Sequence, residues 1–386
     1  MRRVAIIGVG QTKFRTRRDD ATHEELTFEG VSRALEDAAL SISQIESFVY
    51  GTMDPFDGVN SPDKWCVGGA GAVGKPYIKI STGGTTGLTT GIAAYHQVAS
   101  GAFDIAMAVC TQRVGVGDDA QSILNTCVCP IYERDAGAGA ITVGAQQASR
   151  HMFKYGSTDY QRALVSVDAH KNALNNPYAH IQVDVTPEDV MNSRMIEWPL
   201  RLLECCPRSD GACAVIFASE EQAKKLCPKP AWVWGEASII DSYWWGERPD
   251  LADWDILSLA GRRLFKMAGI ENPIKEIDVA ELYAPFTSQT LLELEALGFC
   301  GKGEAGPQIE KGVFKMDGEM AVNPSGGVLC TNPIGATGLV RLVEACLQVT
   351  GKAEKRQVPD AEVALAHAWG GTMQLHALMI VGKHKR

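Results

Sequence analysis

The feature that most restricts how this chain can fold is a pair of long apolar runs that each lead into a loop. DIAMAVCTQ (104–112) and EVALAHAWGG (362–371) have the continuous apolar character of strands buried on both faces. They look like counterparts, because each stands in a round of alternating strand and helix. In the first round RVAIIGV (3–9) predicts a strand, and Thr22 to about Ala39 an amphipathic helix opened by a capping box, Thr22-x-x-Glu25. SFVYGTM (47–53) predicts the next strand, with a Gly-rich loop running to about Gly74. ISTGGTTGLTTGIAAYHQVASG (80–101) reads as a helix whose small residues suit tight packing on all sides, and CAVIFAS (213–219) as a strand. The second round has WVWGEASII (232–240), a helix near 251–268, IDVAELYAP (277–285) running into a helix over 287–297, and a helix at LVRLVEACLQVTG (339–351). Segments 361–369 and 375–383 close it as strands. Two such rounds predict a duplicated α/β core with halves 1–225 and 226–386. Residues of about 113–208 break the pattern with Asp118-Asp119, NALNNPYAH (172–180) and two short helical pieces, and are expected to lie over the core as an inserted loop domain.

Charge and composition exclude some functions. The 386 residues carry a net charge of −9 with Lys and Arg dispersed, which argues against nucleic acid or a membrane surface as partner. No stretch of about 18 apolar residues occurs. The start, MRRVAIIGVGQTKF, has no A-x-A-like cleavage site and is broken by Gly8 and Gly10, so it reads as a strand rather than a signal peptide, and a cytoplasmic protein is expected. Eleven cysteines, an odd number, do not suggest a disulfide framework. Cys127-x-Cys129 and Cys205–Cys206 are not zinc spacings, so no metal site is expected.

More specific are five ordered blocks: TTGLTTGIAAYHQVASGAFDIAMAV (85–109), PLRLLECCPRSDGACAVIFA (199–218), VAELYAPFTSQTLLELEALGFCGKGEAG (279–306), NPSGG with NPIGATG (323–327 and 332–338), and ALAHAWGG (364–371). Together they resemble the sterol-carrier-protein-type and archaeal thiolases over the whole chain. The resemblance implies a duplicated thiolase fold, five layers deep (αβαβα), and coenzyme A in the form of a thioester substrate. It also implies a nucleophilic cysteine at the start of the buried helix and histidines in two loops. Counted back from VASG (98–101), the cysteine position falls on Gly84; the histidine positions fall on Asn332 and Tyr283. The usual sulfur chemistry is therefore missing.

A glycine at that position keeps the helix N-terminal N–H, so Gly84 together with Gly370 in the last loop would resemble the family's backbone oxyanion hole. The pattern is similar to the thiolase-like aldolases, which split a β-hydroxyacyl-CoA by retro-aldol chemistry and use tyrosines. On that resemblance Tyr283 is the leading acid/base group, provided its pKa is lowered from about 10 or its proton is relayed. His367 is its expected proton partner, Asn332 an N–H donor, and Tyr243 a further candidate in DSYWWGERPD (241–250). Pantetheine is expected to pass Cys206 and Ser325, Gly326 and Gly327. The resemblance further implies a homodimeric core and a small partner with a zinc ribbon and an OB-fold-like domain that helps hold acyl-CoA. Two other functions compete: a divergent thiolase or acyltransferase acting on a β-ketoacyl-CoA, and a non-catalytic scaffold that binds acyl-CoA.

Overall fold

The computed structural model describes residues 2–114, 116 and 119–386, so Asp118 lies outside the described residues. The first round runs β1 (Val4–Gln11), α1 (His23–Ala38), β2 (Ser47–Gly51), α2 (Asp54–Asp57), α3 (Asp63–Ala70), β3 (Tyr77–Ile80), α4 (Thr86–Ala99) and β4 (Ile105–Gln112). An insertion follows, with α5 (Ala140–Tyr155) and α6 (Asp159–Ala173), and β5 (Gly211–Ser219) ends the round. The second round runs β6 (Ala231–Ile240), α7 (Asp255–Ala268), β7 (Val279–Glu281), α8 (Thr287–Ala296), β8 (Ala321–Val322), α9 (Thr337–Thr350), β9 (Val363–Gly370) and β10 (Leu375–Gly382).

These strands form one sheet in the order β8-β7-β9-β10-β6-β1-β5-β4-β2-β3. Each half contributes the same pattern: three parallel strands, then one antiparallel strand, then the first strand of its round. The halves join where β1 pairs antiparallel with β6, Ala5 opposite Trp232. Helices α4 and α9 pack on each other between the halves, α1 covers the first half, and α7 covers the second. That is the expected five-layered αβαβα order. β1, β4, β5 and β9 are buried along their whole length, which is why their sequences run apolar without alternation.

The capping box at Thr22 is present, with Glu25 N–H donating to Thr22 Oγ1 and Thr22 N–H to Glu25. Three expectations change. The stretch expected to loop as far as Gly74 holds α2 and α3, and β3 precedes α4. The insertion carries full helices of 16 and 15 residues rather than short pieces. Their buried faces mix Val143, Ala148, Ala163 and Val165 with Gln147, His151, Gln161, Arg162, Ser166 and His170, which interrupt the apolar stripe. The insertion also packs down on α8, and its asparagines reach the 323–327 loop: Asn172 Nδ2 donates to Asn323 O (3.1 Å) and Asn176 Nδ2 to Ser325 O (2.9 Å).

Candidate active site

Four loops meet at the start of α4. The chain enters the helix through Thr82–Thr85, with Gly83 in the left-handed region (φ 62°) and its carbonyl accepting from Thr86 N–H (3.0 Å) and Thr86 Oγ1 (2.6 Å). Against it lies the end of β9, with backbone touching backbone. A Cβ on Gly84 would stand 2.3 Å from Trp369 O, and one on Gly370 would stand 2.7 Å from Gly84 N. No side chain fits at either position as the chain stands.

Tyr283 comes from the third loop, the turn between β7 and α8. Its neighbours fix that turn: Leu282 N–H donates to Asn323 Oδ1 (2.7 Å), and Cys206 N–H donates to Pro285 O (2.8 Å). The phenol is 3% exposed, lies edge-on to Trp369 (ring centroids 5.4 Å apart), and brings Oη to 3.2 Å from the place of the missing Gly84 Cβ. Asn332 supplies the fourth loop. Its Nδ2 donates to Cys206 Sγ (3.1 Å), its Oδ1 accepts from Thr337 Oγ1 (2.8 Å), and its N–H is held by Ser209 Oγ (3.1 Å). Thr337, first residue of α9, lies near enough to the Tyr283 phenol to oppose part of the upward shift of its pKa. Cys206, Asn332 and Thr337 thus form one hydrogen-bonded chain, and the Tyr283 hydroxyl stands near it and faces Gly84. Thr337 was not singled out in the sequence; the signal was a hydroxyl at a helix start within NPIGATG.

Burial, with the Cys206 thiol next in effect, pushes the Tyr283 phenol well above its ordinary range. At neutral pH it is protonated. The lowered pKa that a resting base would need is not there, so Tyr283 is protonated at rest. Burial likewise pushes Cys206 up to about 11 and Cys110 and Cys330 up to about 12, so these thiols are not poised as thiolates.

Other expected site residues lie elsewhere. His367 is wholly buried and makes no hydrogen bond to Tyr283 among the described residues; its Nε2 faces His376 Nδ1 (3.3 Å) and its Nδ1 faces Glu293 (3.8 Å). His367 and Trp369 share the face of β9 opposite to the one Ala368 presents to Gly338 of α9, and on that face it is Trp369 that meets Tyr283 while His367, two residues earlier, meets His376. Burial depresses His367 far below the usual histidine range. The Tyr243 phenol is 59% exposed; this residue touches the β9–β10 loop only through its carbonyl, which accepts from Gln374 Nε2 (2.8 Å). Ser325 does not line a path for pantetheine. It is 2% exposed, and its Oγ is held by Glu281 (2.8 Å) and Arg341 (2.7 Å). Gly326 and Gly327 are buried as well: Gly326 (φ 91°) lies against Ala173 of α6, and Gly327 (φ 61°) lies against Asn323. Their glycines serve a buried turn. Among the described residues no three His, Cys, Asp or Glu side chains are grouped to hold a metal, and no helix is long and apolar enough to cross a membrane.

Residues 237–383 match the family model described as thiolase C-terminal domain-like. The acetyl-CoA acetyltransferase of Methanothermobacter thermautotrophicus is 36% identical over 96% of this chain and 97% of its own length. Sterol carrier protein 2 of Bos taurus is 32% identical over 95% of this chain and 70% of its own. A solved structure, the Ltp2-ChsH2(DUF35) aldolase, superposes with a TM-score of 0.85 at 29% identity, over 100% of this chain and 98% of that one.

Proposed function

Because this chain belongs to the thiolase superfamily, in its sterol-carrier-protein-2-like group, we propose that it cleaves a carbon–carbon bond of a β-hydroxyacyl-CoA without forming an acyl-enzyme. One observation carries the reading: the protonated Tyr283 hydroxyl stands 3.2 Å from where a nucleophile's Cβ would be, at a glycine that the Trp369 carbonyl leaves no room to replace. The structural likeness to an aldolase supports it.

In this reaction the β-hydroxyl loses its proton and its O–H electrons form the new carbonyl. The Cα–Cβ pair passes to the thioester enolate, and the α-carbon takes a proton from Tyr283. Because Tyr283 stays protonated until that step, the β-hydroxyl proton leaves first to solvent water, and solvent afterwards returns a proton to the Tyr283 phenolate, so protons balance and no nucleophile is consumed. The N–H groups of Gly84 and Gly370 and the amide of Asn332 are our candidates for holding the enolate oxygen. Cys206, half-buried beside Asn332, is the one expected CoA contact we retain. His367 is assigned no proton-transfer role.

A small acyl-CoA-binding partner is part of the proposal. The aldolase neighbour is named with a DUF35 protein, and Ile131, Tyr132, Phe153, Trp198 and Tyr243 stand exposed on this chain. A homodimeric core is proposed with it. The second reading, a divergent thiolase, is favoured by the acetyltransferase relative at 36% identity.

Tyr283→Phe decides between them. On the aldolase reading it lowers kcat by about 10²–10⁴-fold and leaves CoA-thioester binding nearly intact, while intact-protein mass spectrometry during turnover finds no acyl adduct. A covalent acyl adduct on any cysteine sinks the aldolase reading and promotes the thiolase.

A further inference from the structure

A cavity of about 310 Å³ lies between α5, α7 and the 241–255 segment that leads into α7. Its walls include Leu251, Ile256 and Met373, the carboxylates of Asp241, Asp250, Asp253 and Asp255, and a set of buried donors. Arg248 Nε and Nη2, Trp254 Nε1 and Gln147 Nε2 have no hydrogen-bond acceptor among the described residues. The Arg248 side chain is 9% exposed, and its guanidinium lies 4.5 Å over the Trp245 ring, which sets its plane. Gln147 presents its amide N–H because its Oε1 already accepts from Gln289 (3.2 Å).

Of the four acids on the wall, three are paired with cations that do not line it, and Asp241 is the one nearest Arg248. Asp241 stands 3.7 Å from Arg248 Nε and accepts Ser242 N–H with its other oxygen. Asp250 is held by Arg150 and Lys154; Asp253 is held by Lys154, Lys302 and Tyr155. Asp255 lies 3.7 Å from Lys302.

Four donors without an acceptor around one cavity call for a group with several lone pairs and no protons of its own. A single water could bridge Arg248 to Asp241 Oδ2, but it has only two lone pairs to offer the four donors. A carboxylate fits, because it takes the guanidinium fork in bidentate fashion and has capacity left for the indole and amide N–H groups. It would also neutralise a buried cation that lacks a hydrogen-bonded partner. The geometry points to a carboxylate-binding site at Arg248, Gln147 and Trp254, taking a small ligand with an apolar body.

The site stands behind the proposed reaction centre. Trp254 is edge-on to Trp369 (6.2 Å), and Trp369 is edge-on to Tyr283 (5.4 Å). The carboxylate has two sources: a free acid, or the far end of a carboxyacyl thioester. The site does not depend on the carbon–carbon cleavage proposed above, since free acids report on it without turnover.

Calorimetry on the full chain tests it, with benzoate and glutarate as free acids and glutaryl-CoA against butyryl-CoA as thioesters. We expect at least one of the carboxylate probes to bind, and Arg248→Met to weaken it at least about 30-fold. Trp254→Phe keeps the ring, deletes one donor and weakens the same probe several-fold. Binding of the free acids assigns the site to a free carboxylate; an Arg248-dependent preference for glutaryl-CoA over butyryl-CoA, without free-acid binding, assigns it to the substrate. Without ligand, Arg248→Met should unfold at the same or a higher temperature, since an underpaired buried cation is gone. A lower unfolding temperature with unchanged binding would make Arg248 a structural residue and overturn the site. So would the absence of any Arg248-dependent binding of all four probes.

Discussion

At the scale of single residues, Gly84 and Tyr283 define the centre together, and each explains the other. The Trp369 carbonyl leaves no volume for a side chain at 84, and the phenol faces the helix start in its stead. Gly84→Ala therefore tests packing directly. Its Cβ would meet backbone, which cannot swing aside, so we expect a loss of about 1–3 kcal/mol, the usual cost of overpacking, read as a lower unfolding temperature. An Ala variant as stable as the parent would mean that the β9–α4 approach has slack. Both residues were visible in the sequence, because their positions follow from counting against neighbouring motifs. Ser325 and His367 were also visible, but a one-dimensional count does not say which face of a turn or strand is buried. That is why Ser325 turned out to belong to a buried Glu281–Arg341 ion pair and His367 to a cluster with His376 and Glu293.

Among the elements, the central pair α4 and α9 sets the depth of the fold. They cross with backbones nearly touching: a Cβ on Gly87 would lie 2.4 Å from Leu339 N, and one on Gly338 would lie 2.7 Å from Leu88 N. The small-residue composition of 80–101 already implied such a crossing. Since Asn332 and Thr337 stand at the entry to α9 and Gly84 at the entry to α4, separating the helices moves two parts of the site at once. Gly338→Ala should cost at least the same roughly 1–3 kcal/mol and should lower kcat, with Thr89→Ala on the half-buried side of α4 as a milder control. Equal effects of the two substitutions on unfolding temperature and kcat would contradict this. The insertion helices escaped the sequence because α5 and α6 bury polar side chains against α8, and hydrophobic periodicity detects only apolar faces.

For the whole molecule, the buried polar groups couple stability to pH. Burial lowers His376 to about 3 and holds His367 well below the usual histidine range, while an unfolded histidine titrates near 6.5. The unfolded chain therefore takes up these protons first. Stability is held above about pH 6.5 and is lost as pH falls, by about 1.4 kcal/mol per pH unit for each histidine, until His376 titrates near 3. Glu293, raised by burial, works in the other direction above its unfolded pKa of about 4.3. Denaturant unfolding between pH 6 and 4 should show a slope about 1.4 kcal/mol per unit shallower in His376→Gln than in the parent; parallel slopes would mean that His376 is charged in the folded protein. The sequence by itself determined the duplicated α/β architecture, the strands of the sheet apart from β3 and β8, and the pair Gly84 and Tyr283 where cysteine and histidine were expected. These follow from local periodicity and motif spacing, which the chain carries along its length. Only the tertiary structure decided that Tyr283 is protonated at rest, that Thr337 hydrogen-bonds Asn332 beside it, that the NPSGG turn is sealed beneath α6, and that Arg248 faces a cavity without a hydrogen-bonded acceptor. Each depends on burial and on contacts between residues far apart in the chain, and desolvation belongs to the packed molecule rather than to any segment of it.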